Sequence, residues 1–403
     1  MNGVMDGIRV LEVAEYTFVP AAGAVLADWG ADVLKVEHPR RGDNQRGLLR
    51  VGGQDNTGAI NFLMEHANRG KRSIGIDLAK AEGRELLYEI AKSSDVFLTN
   101  YLPATRQKLQ IDVEHLRAVN PKIIYARGSA LGDRGVERDK GGYDSTAYWA
   151  RGGSGMGGKQ MGDAPSMQPG AAYGDSIGGM TIAGGIAGAL FARERSGEPS
   201  VVDISLLGTG LWAMGCSLTG AMLAGGAPAI PAGARFMNPL VGLYATKDGG
   251  FLMLTMLQGH YYWADTCEHL GRPELARDPR FATAEEFAKH SEEAVQELRA
   301  AFASATLEEW RGRLATMKGQ WGPFQTLQQV ATDPQVLANG HIVDVEAGDG
   351  STFKLVASPV QFDDRPPQLR RGPEHAQHTE EVLLELGLDW DRIASLKQLG
   401  AIN

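Results

Sequence analysis

Cysteine is nearly absent from this chain. Cys216 and Cys267 are the only two in 403 residues and lie far apart in apolar or helix-like settings, which excludes a disulfide framework and a cysteine-based metal site. A basic surplus is also missing: 40 Lys and Arg stand against 49 Asp and Glu, a net charge of −9. General nucleic-acid binding is therefore not expected, and any phosphate binding rests on local basic clusters. The opening Met1-Asn2-Gly3-Val4-Met5-Asp6 lacks a basic region followed by an apolar core, so the expected location is cytoplasmic rather than secreted. The long uncharged run at 204–234 is laced with Gly, Ser, Thr and Pro, which suits a helix buried in a core or subunit interface better than a membrane span. No internal repeat or low-complexity tract occurs.

A dinucleotide fingerprint is missing as well. The turn after the first strand-like run reads Ala14-Glu15-Tyr16-Thr17-Phe18-Val19-Pro20, without the Gly-x-Gly-x-x-Gly that lets a backbone approach a pyrophosphate, so NAD is disfavoured. The glycine cluster at 152–158 follows a helical stretch rather than a strand, and is read as a flexible loop. Twelve glycines between 152 and 185 suggest a mobile active-site segment, or simply a connection.

What is present is a globular composition, 43% hydrophobic and 22% charged, with length enough for two domains. Short apolar runs at 8–13, 33–37, 74–77, 95–99 and 123–127 alternate with helical patterns at 20–29, 79–91 and 103–118. Such alternation predicts an α/β fold with a doubly wound, mostly parallel, Rossmann-like sheet. Residues 224–233 read as a linker to a second unit, with a strand pair at 241–245 and 250–255 and helices near 260–270, 284–302 and 307–317. The expected division is 1–200 as the first part of a large domain, 201–234 as helix and linker, 235–322 as a small α+β domain, and 323–403 as return linker and final part of the large domain.

One stretch carries chemistry. In Ala172-Tyr173-Gly174-Asp175-Ser176-Ile177-Gly178-Gly179 an acidic residue sits among glycines before a long apolar run, so Asp175 or Ser176 is expected in the first turn of a buried helix. Two readings stay open. Asp175 is an ordinary N-cap, or a carboxylate held ionised by the helix N-terminus and able to attack an acyl carbon. Arg40, Arg41, Lys71, Arg106 and Lys140 fall near strand-like ends, where anionic ligands bind in open α/β sheets; each also reads as solvated surface charge. His375 and His378 have no further ligands nearby and read as surface histidines, so no metal is expected.

An ordered series of motifs completes the reading: Gly7-Ile8-Arg9-Val10-Leu11-Glu12, Asp28-Trp29-Gly30-Ala31-Asp32-Val33-Leu34-Lys35-Val36-Glu37, Asn68-Arg69-Gly70-Lys71-Arg72-Ser73, Gly174-Asp175-Ser176, Leu270-Gly271-Arg272-Pro273 and Asp333-Pro334. In this order, over nearly the whole chain, it resembles the class III CoA-transferases, which share their fold with α-methylacyl-CoA racemases. The resemblance implies a Rossmann-like large domain built from both chain ends, a small middle domain and an interlocked homodimer. It also implies an acyl-CoA donor and a carboxylic acid acceptor, no metal and no permanently bound cofactor, with Asp175 as covalent nucleophile. CoA contacts are implied at Tyr16, Thr17, Arg40 or Arg41, Lys71, Asn100, Arg106 and Lys140. A racemase needs a histidine in a Gly-His-Asp motif where this chain has Gly142-Tyr143-Asp144. No histidine occurs between His115 and His260, so an imidazole reaches Asp175 only from a distant segment. Transfer is thus preferred over racemisation, with a CoA-binding protein without turnover as the remaining alternative. Leu48 and the 256–260 run differ from formyl-CoA transferases, so formyl and oxalate are not the expected acyl groups.

Overall fold

In a computed structural model, which describes residues 3–157, 164–225 and 238–403, the alternating runs of the first half become six parallel strands. These are β1 (Arg9–Val13), β2 (Asp32–Glu37), β3 (Arg72–Gly75), β4 (Val96–Thr99), β5 (Ile124–Ser129) and β6 (Val201–Ser205). They lie in the order β3-β2-β1-β4-β5-β6, so the sheet reverses direction of winding between β1 and β4. Ligands of open α/β sheets bind at such a switch point, outside the carboxyl ends of the strands.

Strand residues alternate between two cores because successive side chains leave opposite faces of a sheet. Val10, Val96, Leu98, Ile124 and Ala126 pack on one face with α1 (Phe18–Asp28). Leu11, Phe97 and Tyr125 pack on the other with α3 (Ala81–Lys92). The short α2 (Phe62–Asn68) precedes β3, and α4 (Pro103–Leu109) follows β4. The expected single helix over 103–118 is broken because Gln110 takes φ +57 and Asp112 caps a new helix, Val113–Val119.

The long α5 (Tyr173–Ser196) joins the α1 face through Ile182 and Ile186. Two C-terminal helices, α6 (Thr379–Glu385) and α7 (Trp390–Gln398), join the α3 face through Leu383 and Leu396. Residues from the two chain ends thus share one core, and contacts gather them into one compact unit.

Part of the glycine-rich stretch is packed helix. A Cβ at Gly178 would lie 2.3 Å from the Phe18 ring, and one at Gly179 would lie 2.6 Å from Ala21 Cβ and 3.0 Å from the Phe18 carbonyl. These glycines let α5 lie directly on α1. The expectation of a mobile segment is therefore replaced, from residue 173 onward, by close helix packing. Earlier, Gly155 and Gly157 lie in a short helix, Ser154–Gly157, rather than in a loop, while Gly158 lies outside the described residues.

The uncharged run begins with helices Leu206–Ala213 and Gly215–Leu223, bent by 71°. Its later part, with most of the expected linker, lies outside the described residues. Of the described helices, α5 alone is by itself long and apolar enough to cross a membrane; its packing on the sheet is that of a core helix.

The second unit, described over 238–334, is built on a three-stranded antiparallel sheet of β7 (Val241–Ala245), β8 (Phe251–Thr255) and β9 (Trp321–Pro323). Its core includes Trp263, Phe281, Phe302 and Trp310. Of the aromatic trio at 261–263, Trp263 belongs to this core and Tyr261 is exposed.

Candidate active site

The site is built on the first turn of α5. Asp175 is the third residue of that helix rather than its cap; the cap position belongs to Ala172, which sits at φ +56, unusual for a residue with a side chain. The ordinary N-cap reading of Asp175 is thereby removed. Asp144 does the capping from outside: its Oδ2 accepts the Gly174 N–H at 3.3 Å and the Gln168 side-chain amide at 3.2 Å.

Among the described residues none hydrogen-bonds or ion-pairs with the Asp175 carboxyl. Burial, and then the neighbouring Asp144 carboxylate, push its pKa up to about 8. The expectation that the helix N-terminus keeps Asp175 ionised is corrected accordingly. Desolvation and a like charge favour the protonated acid, in opposition to the helix N-terminus, which favours the carboxylate. An unpartnered carboxyl tuned in this way is a group available for chemistry.

A crevice of about 620 Å³ lies at the carboxyl ends of β1, β2 and β4, at the switch point. Tyr16, Arg41, Asn100, Tyr101 and Lys108 are among its lining residues. Asn100 staples the β1 and β4 loops, accepting from Glu15 N at 3.1 Å and donating to the Glu15 carbonyl at 2.6 Å. Tyr16, at φ +65, donates its backbone N–H to Asp43 and meets the Tyr143 ring edge-on at 5.7 Å. Because Tyr143 adjoins Asp144, the crevice connects through two rings to the turn that carries Asp175. A larger cavity, about 990 Å³, opens beside Arg9, Asp32 and Arg72 at the amino ends of the strands, away from the switch point. There Arg72 is already paired with Asp32 and Glu385.

The other expected contacts divide by burial. Thr17 is buried and donates its hydroxyl to Gln45 at 2.6 Å. Arg41 lines the crevice and pairs with Glu15 at 3.3 Å, whereas Arg40 is exposed in the same turn and does not line it. Lys71 is closed off from solvent. Its ammonium donates to both Glu12 oxygens at 2.8 and 2.7 Å, to the Pro20 carbonyl and to Asn68, while Lys35 joins Glu12 to Asp43 beside it. Arg106 is likewise buried, with Asp133 at 3.1 Å, Asp112 at 3.4 Å and the Tyr101 carbonyl at 3.0 Å. In this structure both cations are held by the protein itself. Lys140 is surface-exposed beside Glu137.

Sequence reasoning missed several members. Lys108 is exposed at the crevice, and no carboxylate pairs with it among the described residues. Its place on α4, one helical turn beyond Thr105 on the same lining, was the available signal. Asp144 was read only for the histidine missing beside it. His66 was not singled out at all; it reaches Ser176, with Nε2 2.9 Å from the hydroxyl. His375 and His378 are docked structurally, on the His38 carbonyl and the Ser73 N–H.

Comparison with known proteins gives a consistent picture. A family model described as CoA-transferase family III matches residues 5–379. The chain is 29% identical to the (R)-2-hydroxy-4-methylpentanoate CoA-transferase of Clostridioides difficile over 98% of both chains. It is 32% identical to the succinate–glutarate CoA-transferase of Agrobacterium fabrum over 95% of both. A crystal structure of a CaiB/BaiF family protein from Brucella suis superposes with a TM-score of 0.80 at 27% identity, covering 96% of this chain and 100% of that one.

Proposed function

The chain belongs to CoA-transferase family III, and on that premise we propose that it moves CoA between two carboxylic acids with Asp175 as covalent nucleophile. It is a CoA-transferase, and its substrates are accordingly CoA thioesters. The observation that carries the proposal is the Asp175 carboxyl in the first turn of α5, without a hydrogen-bond or ion-pair partner among the described residues and linked by Asp144, Tyr143 and Tyr16 to the switch-point crevice. Its ionised form adds to the thioester carbonyl; the C–S bond breaks and CoA leaves as thiolate, giving a mixed anhydride. The thiolate then attacks the aspartyl carbonyl, which frees the first acid and leaves an aspartyl-CoA thioester. The acceptor carboxylate repeats the exchange in reverse order and departs as the new thioester. No net proton is consumed.

The proposal places the CoA phosphates and nucleotide in the 620 Å³ crevice, against Arg41 and Lys108, with Tyr16 and Asn100 among its lining residues; Thr17 is buried behind it on Gln45. Arg106 supports the crevice by holding the Tyr101 carbonyl, while Lys71 does not line it. The two curated relatives named above act on unlike acids, so the test presents a panel of hydroxy, branched and dicarboxylic acyl-CoA donors. Intact-protein mass after brief hydroxylamine or borohydride trapping should show a donor-dependent change mapping to Asp175. If no adduct forms with any donor while solvent deuterium enters the α-carbon of a branched acyl-CoA, the racemase reading replaces this one.

A homodimer is part of the proposal. Phe191 on α5 and Trp212 and Leu223 on the bent helix pair are 66%, 86% and 85% exposed, large apolar side chains that a second subunit would cover. Light scattering should give twice the 43.2 kDa chain mass, and a concentration-independent monomer would refute this assembly. Two unpaired cysteines, one buried and one exposed, accord with the proposed cytoplasmic setting.

A further inference from the structure

The hydrogen bond between α2 and the nucleophile's turn is unused by the exchange described so far. His66 Nε2 lies 2.9 Å from Ser176 Oγ, and Ser176 directly follows Asp175. The Ser176 hydroxyl is also 2.9 Å from the Ala172 carbonyl, but that carbonyl already accepts the Ser176 backbone N–H at 2.9 Å. Ala172 therefore keeps its helical bond if the hydroxyl turns away. A serine hydroxyl has one proton to donate and accepts at its lone pairs. With Nε2 protonated, His66 fills an acceptor position and leaves the O–H to point at a third group.

The His66 backbone is firmly held. Arg69 donates to the His66 carbonyl at 2.6 Å, and its guanidinium is fixed on Asp28 at 2.8 Å. Burial, with the Arg69 charge second, drives the imidazole pKa down to about 4, so the ring is neutral at ordinary pH. In the tautomer with its proton on Nε2, the neutral ring polarises Ser176 without forming an ion pair with Asp175.

We propose that Ser176, polarised by His66, donates a hydrogen bond to the carbonyl oxygen of the acyl group as Asp175 adds to it, with His66 as the positioning residue. This rests on Asp175 being the covalent nucleophile. Negative charge gathers on that oxygen when the carboxylate adds; as the adduct collapses the C=O bond re-forms, the C–S bond breaks, and the charge leaves on the thiolate sulfur. The relay transfers no proton; it stabilises the oxyanion from a preset donor.

The test uses full-length Ser176→Ala, His66→Ala, His66→Gln and the Ser176→Ala/His66→Ala pair, beside Asp175→Ala, with thermal unfolding as the folding check. Each single alanine variant should lower kcat by about 100-fold, the range for loss of one oxyanion donor. KM should change by less than about threefold, since the bond strengthens only in the transition state. The double variant should be no slower than the singles, and His66→Gln, which keeps a terminal amide donor, should recover most of the rate. If His66→Ala fails to fold, Ser176→Ala and His66→Gln decide. Wild-type kcat in Ser176→Ala, or additive losses in the pair, would overturn the relay while an inactive Asp175→Ala left the nucleophile in place. Exchange persisting in Asp175→Ala would instead remove the nucleophile itself.

Discussion

Asp175→Ala is expected to fold, to bind CoA with near wild-type affinity, and to lose transfer by about 10⁴-fold or more in kcat, the scale on which covalent nucleophiles count. The crevice at the switch point contains none of the α5 residues, so CoA bound there, as proposed, is expected to keep its affinity without the carboxyl. Isothermal titration with CoA and a steady-state exchange assay separate the two effects. Loss of CoA affinity parallel to loss of rate would mean that the variant damages the fold or the crevice rather than the chemistry.

The same residue carries a stability signature. Its pKa in the folded protein, about 8, exceeds the ordinary carboxylate value near 3.8. Between those limits the folded chain holds a proton that the unfolded chain has lost, so stability falls as pH rises through that window. Asp175→Asn, nearly isosteric and uncharged, removes this penalty. Its melting temperature should match wild type near pH 4 and exceed it increasingly toward pH 8; a constant difference would contradict the raised pKa.

The second large effect is expected from Asp144→Asn. The Asp144 carboxylate is the second cause of the raised Asp175 pKa, after burial, and it also accepts from Gly174 N and Gln168. An asparagine keeps an oxygen for the helix end and removes the charge. The Asp175 pKa then falls, and the ionised fraction at pH 6 to 7 rises. For wild type that fraction is roughly a tenth at pH 7, given a pKa of about 8.

The acid limb of the kcat/KM profile, which reports the free enzyme, should therefore move to lower pH in the variant, with a several-fold gain near pH 6. Near pH 9, where Asp175 is ionised in both proteins, no gain is expected, and the less basic carboxylate should react slightly more slowly. An unmoved acid limb would show that Asp144 acts on α5 only as a cap.

How far the sequence could be read follows from the range of the forces involved. Five strands of the parallel sheet were legible because they are largely buried and print apolar runs, as in Val10-Leu11 and Val96-Phe97-Leu98. The edge strand β6, exposed or half-buried throughout, was not, and fell in the stretch read as helix and linker. The break at Gln110 was not, since a left-handed residue other than glycine leaves no compositional mark. Glycines misled in the other direction. Gly178 and Gly179 read as looseness in one dimension, yet serve the closest helix contact in the sheet's α1 face.

At the site, the local pattern of Gly174-Asp175-Ser176 determined where a carboxyl meets a helix start, and the ordered motifs determined the family. Tertiary structure decided the rest. It enclosed Lys71 between Glu12 and Asn68, turned Arg106 onto Asp112 and Asp133, and brought His66 across 110 positions to Ser176. It also set Asp144 beside Asp175 and so raised its pKa. Helix starts and strand periodicity are fixed by neighbours within a few residues, and a sequence displays those directly. Burial and charge proximity are sums over groups distant in the chain, and they acquire values only when the fold brings those groups together.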